Sequence, residues 1–432
     1  GGEMTNLATV DGSAATDDLT IDTSGLVSGT TYKAGSGDDL FTVGARLGET
    51  DSFDGGAHGA VATSGDVLTA TITGNNAATD AFTIANVETV QLLNTGSAFV
   101  DAAAITGATS LETAGNATKL TYSNLGSDHS IGLGHKDEVA AANAGTTAIA
   151  LADETGTADS VDVWNYRMAT HTLTATGIET VNLKASTTDA TITGSTYTIS
   201  ALNAATVNVS GGNADVDSTI GLGTLDTDTV TVDASAYRGI LTVQGSASAT
   251  TFITHGTAVA DITGGAGNDT FTVGATAAQQ NLDGGAGTDT ANITLSGVAE
   301  ANDLVNIEVY NLTIADSATA GLTHATTEGI NDSDTTTVNI SGGNSLSTMA
   351  LGTAGAAAIG VANGGEATGL VTLNASTFAG ALTAKFGDDV IDTNLTITGG
   401  AGLDNVHGTF TGAAVVKMSA VERLHIESDA TG

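Results

Sequence analysis

The same short phrases return in the same order along this chain, and that repetition limits its possible folds more than any single residue does. One phrase carrying a Glu reads Val-Glu-Thr-Val-Gln-Leu at Val87–Leu92, Ile-Glu-Thr-Val-Asn-Leu at Ile178–Leu183, Ile-Glu-Val-Tyr-Asn-Leu at Ile307–Leu312 and Val-Glu-Arg-Leu-His-Ile at Val421–Ile426. A second, Val-Asn-Val-Ser-Gly-Gly-Asn at Val207–Asn213, returns as Val-Asn-Ile-Ser-Gly-Gly-Asn at Val338–Asn344. A third, Val230–Ser235, returns at Val371–Ser376. Within such phrases apolar residues alternate with Thr, as in Leu68-Thr69-Ala70-Thr71-Ile72-Thr73, which is the period of a half-buried strand. A repeat this short cannot bury its apolar face alone and must stack on its neighbours. The pattern therefore predicts an all-β chain, a β-solenoid or β-roll-like array, with tandem β-sandwich domains as the second architecture. The repeats divide the chain at 1–96, 177–299 and 300–432, around a less patterned Ala-rich stretch at 97–176. That stretch holds the one tryptophan, Trp164, and reads either as an inserted domain or as drifted repeats.

Composition agrees with a thin core, because aromatic residues make up only 4% of the 432. Neither Cys nor Pro occurs, so no disulfide can staple the fold and rigidity must come from another source. With 48 acidic against 10 basic residues the net charge is -38, which repels nucleic acid and anionic membranes and suits divalent cations. No uninterrupted apolar run approaches the roughly 18 residues needed to span a bilayer, and no export signal is read from Gly1-Gly2-Glu3-Met4.

The chemistry-bearing motif begins at Gly264: Gly-Gly-Ala-Gly-Asn-Asp-Thr-Phe-Thr fits the nonapeptide G-G-x-G-x-D-x-U-x, with Phe271 at the large apolar place. The six-residue turn recurs at Gly284–Asp289 and Gly399–Asp404, and Ala34–Thr42 repeats the nonapeptide with Ala for the first Gly. By chance the six-residue pattern is expected roughly 0.1 times in a chain of this composition. Glycine permits positive φ and turns carbonyls inward while Asp adds a carboxylate, together offering the oxygen-only shell that Ca²⁺ prefers. One turn cannot complete such a shell, so coils should pair. Asp38 and Asp39 pair with Asp54. Gly264, Gly265, Gly267, Asn268 and Asp269 pair with Asp283, Gly284, Gly285 and Asp289. Asp388 and Asp389 pair with Gly399, Gly400 and Asp404. About three calcium clusters are expected, the first weakened where His58 replaces the equivalent of Gly287. Metal-free β-turns are the alternative, since Gly-Asp and Asn-Asp favour turns anyway.

These nonapeptides resemble those of RTX proteins, which implies a calcium-bound parallel β-roll and export by type I secretion. The wider Cys-free, Thr/Ala/Gly-rich pattern with its Ile-Glu-Thr-Val phrases resembles RTX-type surface-layer (S-layer) proteins of the Caulobacter kind. That resemblance implies a secreted structural protein of the cell surface that self-assembles with calcium into a two-dimensional lattice anchored to lipopolysaccharide. An RTX adhesin or biofilm-matrix stalk is the rival reading. No enzyme is expected: the zinc-protease signature H-E-x-x-H is missing, His58, His129, His135, His171, His255, His324, His407 and His425 lie scattered, and no Gly-rich turn ends in Gly-Lys-Ser/Thr. Glu88, Glu179, Glu308 and Glu422 are expected on a solvated strand face, with calcium ligation the less favoured role.

Overall fold

The structure, a computed structural model, describes residues 7–427 except 25–28, 45–46, 48–49, 58–64, 73–81, 115–118, 136–144, 154, 167–169, 186–195, 201–203, 213–218, 256–257, 277–279, 296–302, 316–322, 327–335, 345–347, 352–370, 392–393 and 411–414. The described elements are short strands plus a single 3₁₀ turn, Ala102–Ala104. Successive strands pair in parallel with the strand two elements further on, which makes stacked coils of a β-solenoid. Two compact units divide the chain, Gly1–Gly212 with Ile220–Gly223, and Asn213–Thr219 with Thr224–Gly432.

In the first unit one sheet runs through Leu40–Gly44, Val67–Ile72, Thr89–Asn94, Ser110–Ala114, Ser130–Leu133, Ser160–Asn165, Thr180–Ala185 and Thr206–Gly211. The Ala-rich stretch is part of this stack. Ser110–Ala114 pairs directly with Thr89–Asn94, and Ser160–Asn165 with Thr180–Ala185, so its coils are drifted repeats rather than an insertion. Its opposite strands, Ala98–Asp101, Lys119–Leu125, Gly145–Leu151 and Thr170–Ala175, form a second parallel sheet. Aliphatic side chains point between the sheets and fill the core in registered columns such as Leu68, Val90, Leu111 and Ile131. Parallel strands lie about 4.8 Å apart, so a column of branched aliphatics packs rung on rung with little void. His171 sits in this core with Nε2 2.9 Å from Thr147 Oγ1, and burial pushes its pKa down to about 4.

The second unit repeats the plan with strands Thr231–Tyr237, Thr251–Thr254, Thr270–Thr276, Thr290–Leu295, Val309–Ile314, Thr337–Gly342, Thr372–Phe378 and Leu395–Thr398. Their inward column alternates bulk. Phe252 and Phe271 stack with centroids 5.3 Å apart, and the next rung is the small Ala291, which leaves room for the buried Tyr310 ring one coil on. Outward positions carry Thr and Asn. The amides of Asn292, Asn311 and Asn339 form a ladder, Asn311 Nδ2 donating to Asn292 Oδ1 and Asn339 Nδ2 to Asn311 Oδ1, both at 2.8 Å.

Candidate metal centre

Each motif turn delivers its aspartate to one place. In the second unit the strand Gln280–Gly285 enters the turn, Gly285 (φ +90°) and Gly287 (φ +146°) reverse it, and Asp289 ends it one residue before the strand Thr290–Leu295. These φ values lie in the left-handed region, where a Cβ is strained and glycine is not. The Asp289 carboxylate folds back inside the coil, fully buried, and its Oδ1 accepts the backbone N–H of Asp269 at 2.6 Å. Asp269, equally buried, accepts the N–H of Thr250 at 2.7 Å, and Glu308 Oε2 accepts the N–H of Asp289 at 2.6 Å. Asp269, Asp289 and Glu308 thus form a column of carboxylates, each bound to the backbone of the coil before it.

The second oxygens of Asp269 and Asp289 are different. Both Oδ2 atoms are buried and accept no hydrogen bond. Each faces a glycine that leaves space for it. A Cβ on Gly264 would lie 2.5 Å from Asp269 Oδ2 and 2.5 Å from the carbonyl oxygen of Gly284. A Cβ on Gly284 would lie 2.6 Å from Asp289 Oδ2 and 1.9 Å from the carbonyl oxygen of Asn306. Carboxylate and carbonyl oxygens therefore converge on two glycine cradles with no donor between them. Burial pushes the Asp289 pKa up to about 6, aided by the negative charges of Asp269, Glu308 and Asp283; burial also raises Asp269, against the Thr250 N–H that lowers it. Buried carboxylate oxygens without donors fit a hard cation, which prefers several oxygens at once.

The equivalent column in the first unit is Asp39, Asp66 and Glu88. Asp66 Oδ1 accepts the N–H of Asp39 at 2.7 Å, and Glu88 Oε2 that of Asp66 at 2.8 Å. Asp39 itself is doubly bonded, to the N–H of Leu19 at 2.6 Å and of Gly35 at 3.1 Å. Its carboxylate partner in the next coil is Asp66 and not Asp54, because the buried residue is the one that leaves the turn. Asp54 and Asp283 stand where the chain enters it and bond to their own turn and to an Asn of the next coil: Asp54 Oδ1 accepts from Gly56 N–H (3.1 Å) and Asn86 Nδ2 (2.8 Å), and Asp283 Oδ1 from Gly285 N–H (3.1 Å) and Asn306 Nδ2 (2.7 Å). Asn86 and Asn306 both adopt φ 54°, a conformation Asn tolerates better than most residues.

Of the remaining motif residues, the Asp38 N–H donates to Asp18 Oδ1 at 2.9 Å and Asn268 Oδ1 accepts the Thr288 N–H at 2.9 Å, both toward solvent. The Gly265 carbonyl accepts the Ala286 N–H at 2.8 Å, and a Cβ on Gly267 would meet the backbone of Ser248 and Ala249 at 2.4 Å. Asp404 accepts the N–H groups of Leu382 (2.8 Å) and Gly400 (2.6 Å), and a Cβ on Gly399 would lie 2.3 Å from its Oδ2. Asp388 and Asp389 lie in the strand Ala381–Ile391 with side chains outside the described residues, and His58 is likewise outside them.

The four phrase glutamates share one role. Glu422 accepts the Asp404 N–H at 2.8 Å and Glu179 the Asp159 N–H at 2.9 Å, as Glu88 and Glu308 do for Asp66 and Asp289. They close carboxylate columns instead of lining a solvated face. Asp66 and Asp159 were not expected in such columns. One signal covers all of these residues: an acid two places before the first inward apolar residue of a strand, as in Asp66-Val67-Leu68, Asp159-Ser160-Val161 and Glu179-Thr180-Val181. Comparison with known proteins found no matching family, no matching curated protein and no matching solved structure.

Proposed function

We propose that this protein is a secreted, calcium-binding structural protein of a bacterial cell surface, folding when calcium is present and assembling into a two-dimensional layer. The observation that carries the reading is the pair of buried Oδ2 atoms of Asp269 and Asp289, each beside a carbonyl oxygen and without a donor. Those two aspartates, with the carbonyls of Gly284 and Asn306, are the residues that would hold the ion. Bound there, Ca²⁺ supplies the positive charge that offsets burial of two carboxylates and lets successive coils close on each other. The net charge of -38 acts in the same direction, since a metal-free chain repels itself. With a dissociation constant near ~0.1 mM, one such site adds about 1.4 kcal/mol at ~1 mM calcium. Lipopolysaccharide is the proposed anchor. The role is architectural, not catalytic.

The test is parallel dialysis into about 1 mM calcium and into chelator, read by circular dichroism and electron microscopy. The expected result is strand signal, a raised melting temperature and ordered sheets with calcium only. Identical melting in both buffers overturns the calcium site. Monodisperse rods in calcium would replace the layer with the adhesin-stalk reading.

A further inference from the structure

Two sheets of the second unit face outward with different chemistry. On the strands Ile240–Gln244, Ala260–Gly265 and Gln280–Gly285 the outward positions include Asp261 and Asp283. In the other sheet eight registered strands from Thr231–Tyr237 to Leu395–Thr398 give two central outward positions each, sixteen in all, and a ninth strand, Val416–Ser419, adds Lys417 and Ser419 at the end of the two columns. One column of eight is seven threonines and Val309, running from Thr231 to Thr396. The other column starts at Asp233 and is uncharged from Ile253 to Thr398. One carboxylate in sixteen positions contrasts with two on three strands of the neighbouring sheet. The face is also stiff, because β-branched Thr restricts its own rotamers and the Asn292, Asn311 and Asn339 amides are tied to each other.

We infer that this Thr/Asn face is a self-association surface, and that its partner is the same face of a second copy of the chain. Three considerations select that partner. Two molecules of charge -38 repel wherever their acids meet, and this face lets them approach with little of that cost. A grid of rungs about 4.8 Å apart is commensurate along its whole length with another grid of the same spacing. Eight strands and two to three outward positions make a patch of roughly 34 by 13 Å, so two copies bury about 900 Å² in total, the size of a weak contact. Such a contact is weak alone and gains strength when several contacts act together in an array. This inference rests on the proposed self-assembly and names one of its contacts.

The experiment uses the full chain in about 1 mM calcium, where the proposed function has it folded, and measures association by sedimentation across concentration and sheets by microscopy. A face variant carries Thr290→Glu and Thr337→Glu; a control carries Thr242→Glu and Asn281→Glu on the neighbouring sheet. The expected result is at least a tenfold weaker association in the face variant, none in the control, and unchanged circular dichroism in both. High salt should restore part of the loss by screening the added charges. A face variant that associates like wild type overturns this surface and leaves the layer standing if sheets persist. Wild-type pairs without sheets would keep the surface and remove the layer. A wild type that stays monomeric at every concentration, or that adsorbs to insoluble polysaccharide instead of pairing, overturns the surface.

Discussion

The columns Asp39–Asp66–Glu88 and Asp269–Asp289–Glu308 stand at the same positions of successive coils, one in each unit, and are joined to the backbone by the same bonds. They differ in what happens to the second oxygen. Asp39 gives it to the Gly35 N–H, whereas Asp269 and Asp289 leave theirs buried among carbonyls. Asp39 is thus capped on both oxygens while Asp269 and Asp289 keep an unmet demand for positive charge, although Asp66 Oδ2 faces Gly55 and the Asn86 carbonyl much as Asp289 Oδ2 faces Gly284 and that of Asn306. The nonapeptides of the two regions read alike, and the difference lies in one local hydrogen bond.

The steric part of the comparison should give the largest effect. A Cβ on Gly55 would sit 1.9 Å from the Asn86 carbonyl oxygen, and one on Gly284 1.9 Å from that of Asn306. Gly55→Ala and Gly284→Ala should each cost about 3 kcal/mol or more, seen as similar drops in melting temperature in the two units. Unequal drops would mean that the coils are not spaced alike.

Removing the closing rung comes next. Glu308→Ala leaves the buried Asp289 N–H without its acceptor, and Glu88→Ala does the same to Asp66, so each should lose about 1–3 kcal/mol by chemical denaturation. An effect under a few tenths in either variant would return these glutamates to the solvated face.

Amide substitution sharpens the contrast most. In Asp39→Asn the new NH₂ would point at the Gly35 N–H, a donor facing a donor, so a loss of about 1–2 kcal/mol should appear with or without calcium. In Asp269→Asn the NH₂ would point toward the Gly284 carbonyl, so the metal-free protein should be stabilised while calcium stoichiometry falls. Calorimetric titration and melting in chelator check both. Equal behaviour of the two variants would erase the distinction between the columns.

Acidity gives a smaller effect with a definite sign. The folded pKa of Asp289, about 6, lies above the usual carboxylate range, so the folded state binds that proton more tightly than the unfolded chain does. Its contribution without metal is complete below the unfolded value and is lost as pH rises through about 6. His171, held down at about 4, works oppositely: in the window between about 4 and its ordinary value the unfolded chain takes the proton, and stability falls with falling pH. The difference between wild type and Asp289→Asn isolates the carboxylate, and in chelator that difference should shift in favour of wild type as pH falls from 7 to 5. With calcium bound the shift should reverse, because the proton then competes with the ion.

Much of this was legible in the chain. Alternation in Leu68–Thr73 and the returning Glu phrases pointed to stacked parallel coils, and the glycine spacing located the turns. The side of each turn that faces inward was not legible. Phe53-Asp54-Gly55-Gly56 and Leu282-Asp283-Gly284-Gly285 do match position by position, yet spacing alone does not say that the entering acid holds an Asn of the next coil while the leaving acid is buried. Asp66 carries no such signal because its turn lacks the glycine pattern, and the Ala-rich coils carry none because they lack the returning phrases. Their registration depends on pairing with coils 20 to 30 residues away, which local pattern does not encode.

The bonds that link successive members of the two carboxylate columns run one way, from a backbone N–H to an acid later in the chain. The fold therefore has an arrow. Within the column a coil's amide is finished by its successor, so a cut just beyond Asp269 strips the acceptor from that residue's own amide, while a cut just before Thr250 takes sheet partners such as the Val230 carbonyl but no acceptor from the column. Loss from the C-terminal side should therefore cost each exposed coil one bond more than loss from the N-terminal side, and unravelling should run more readily backward than forward.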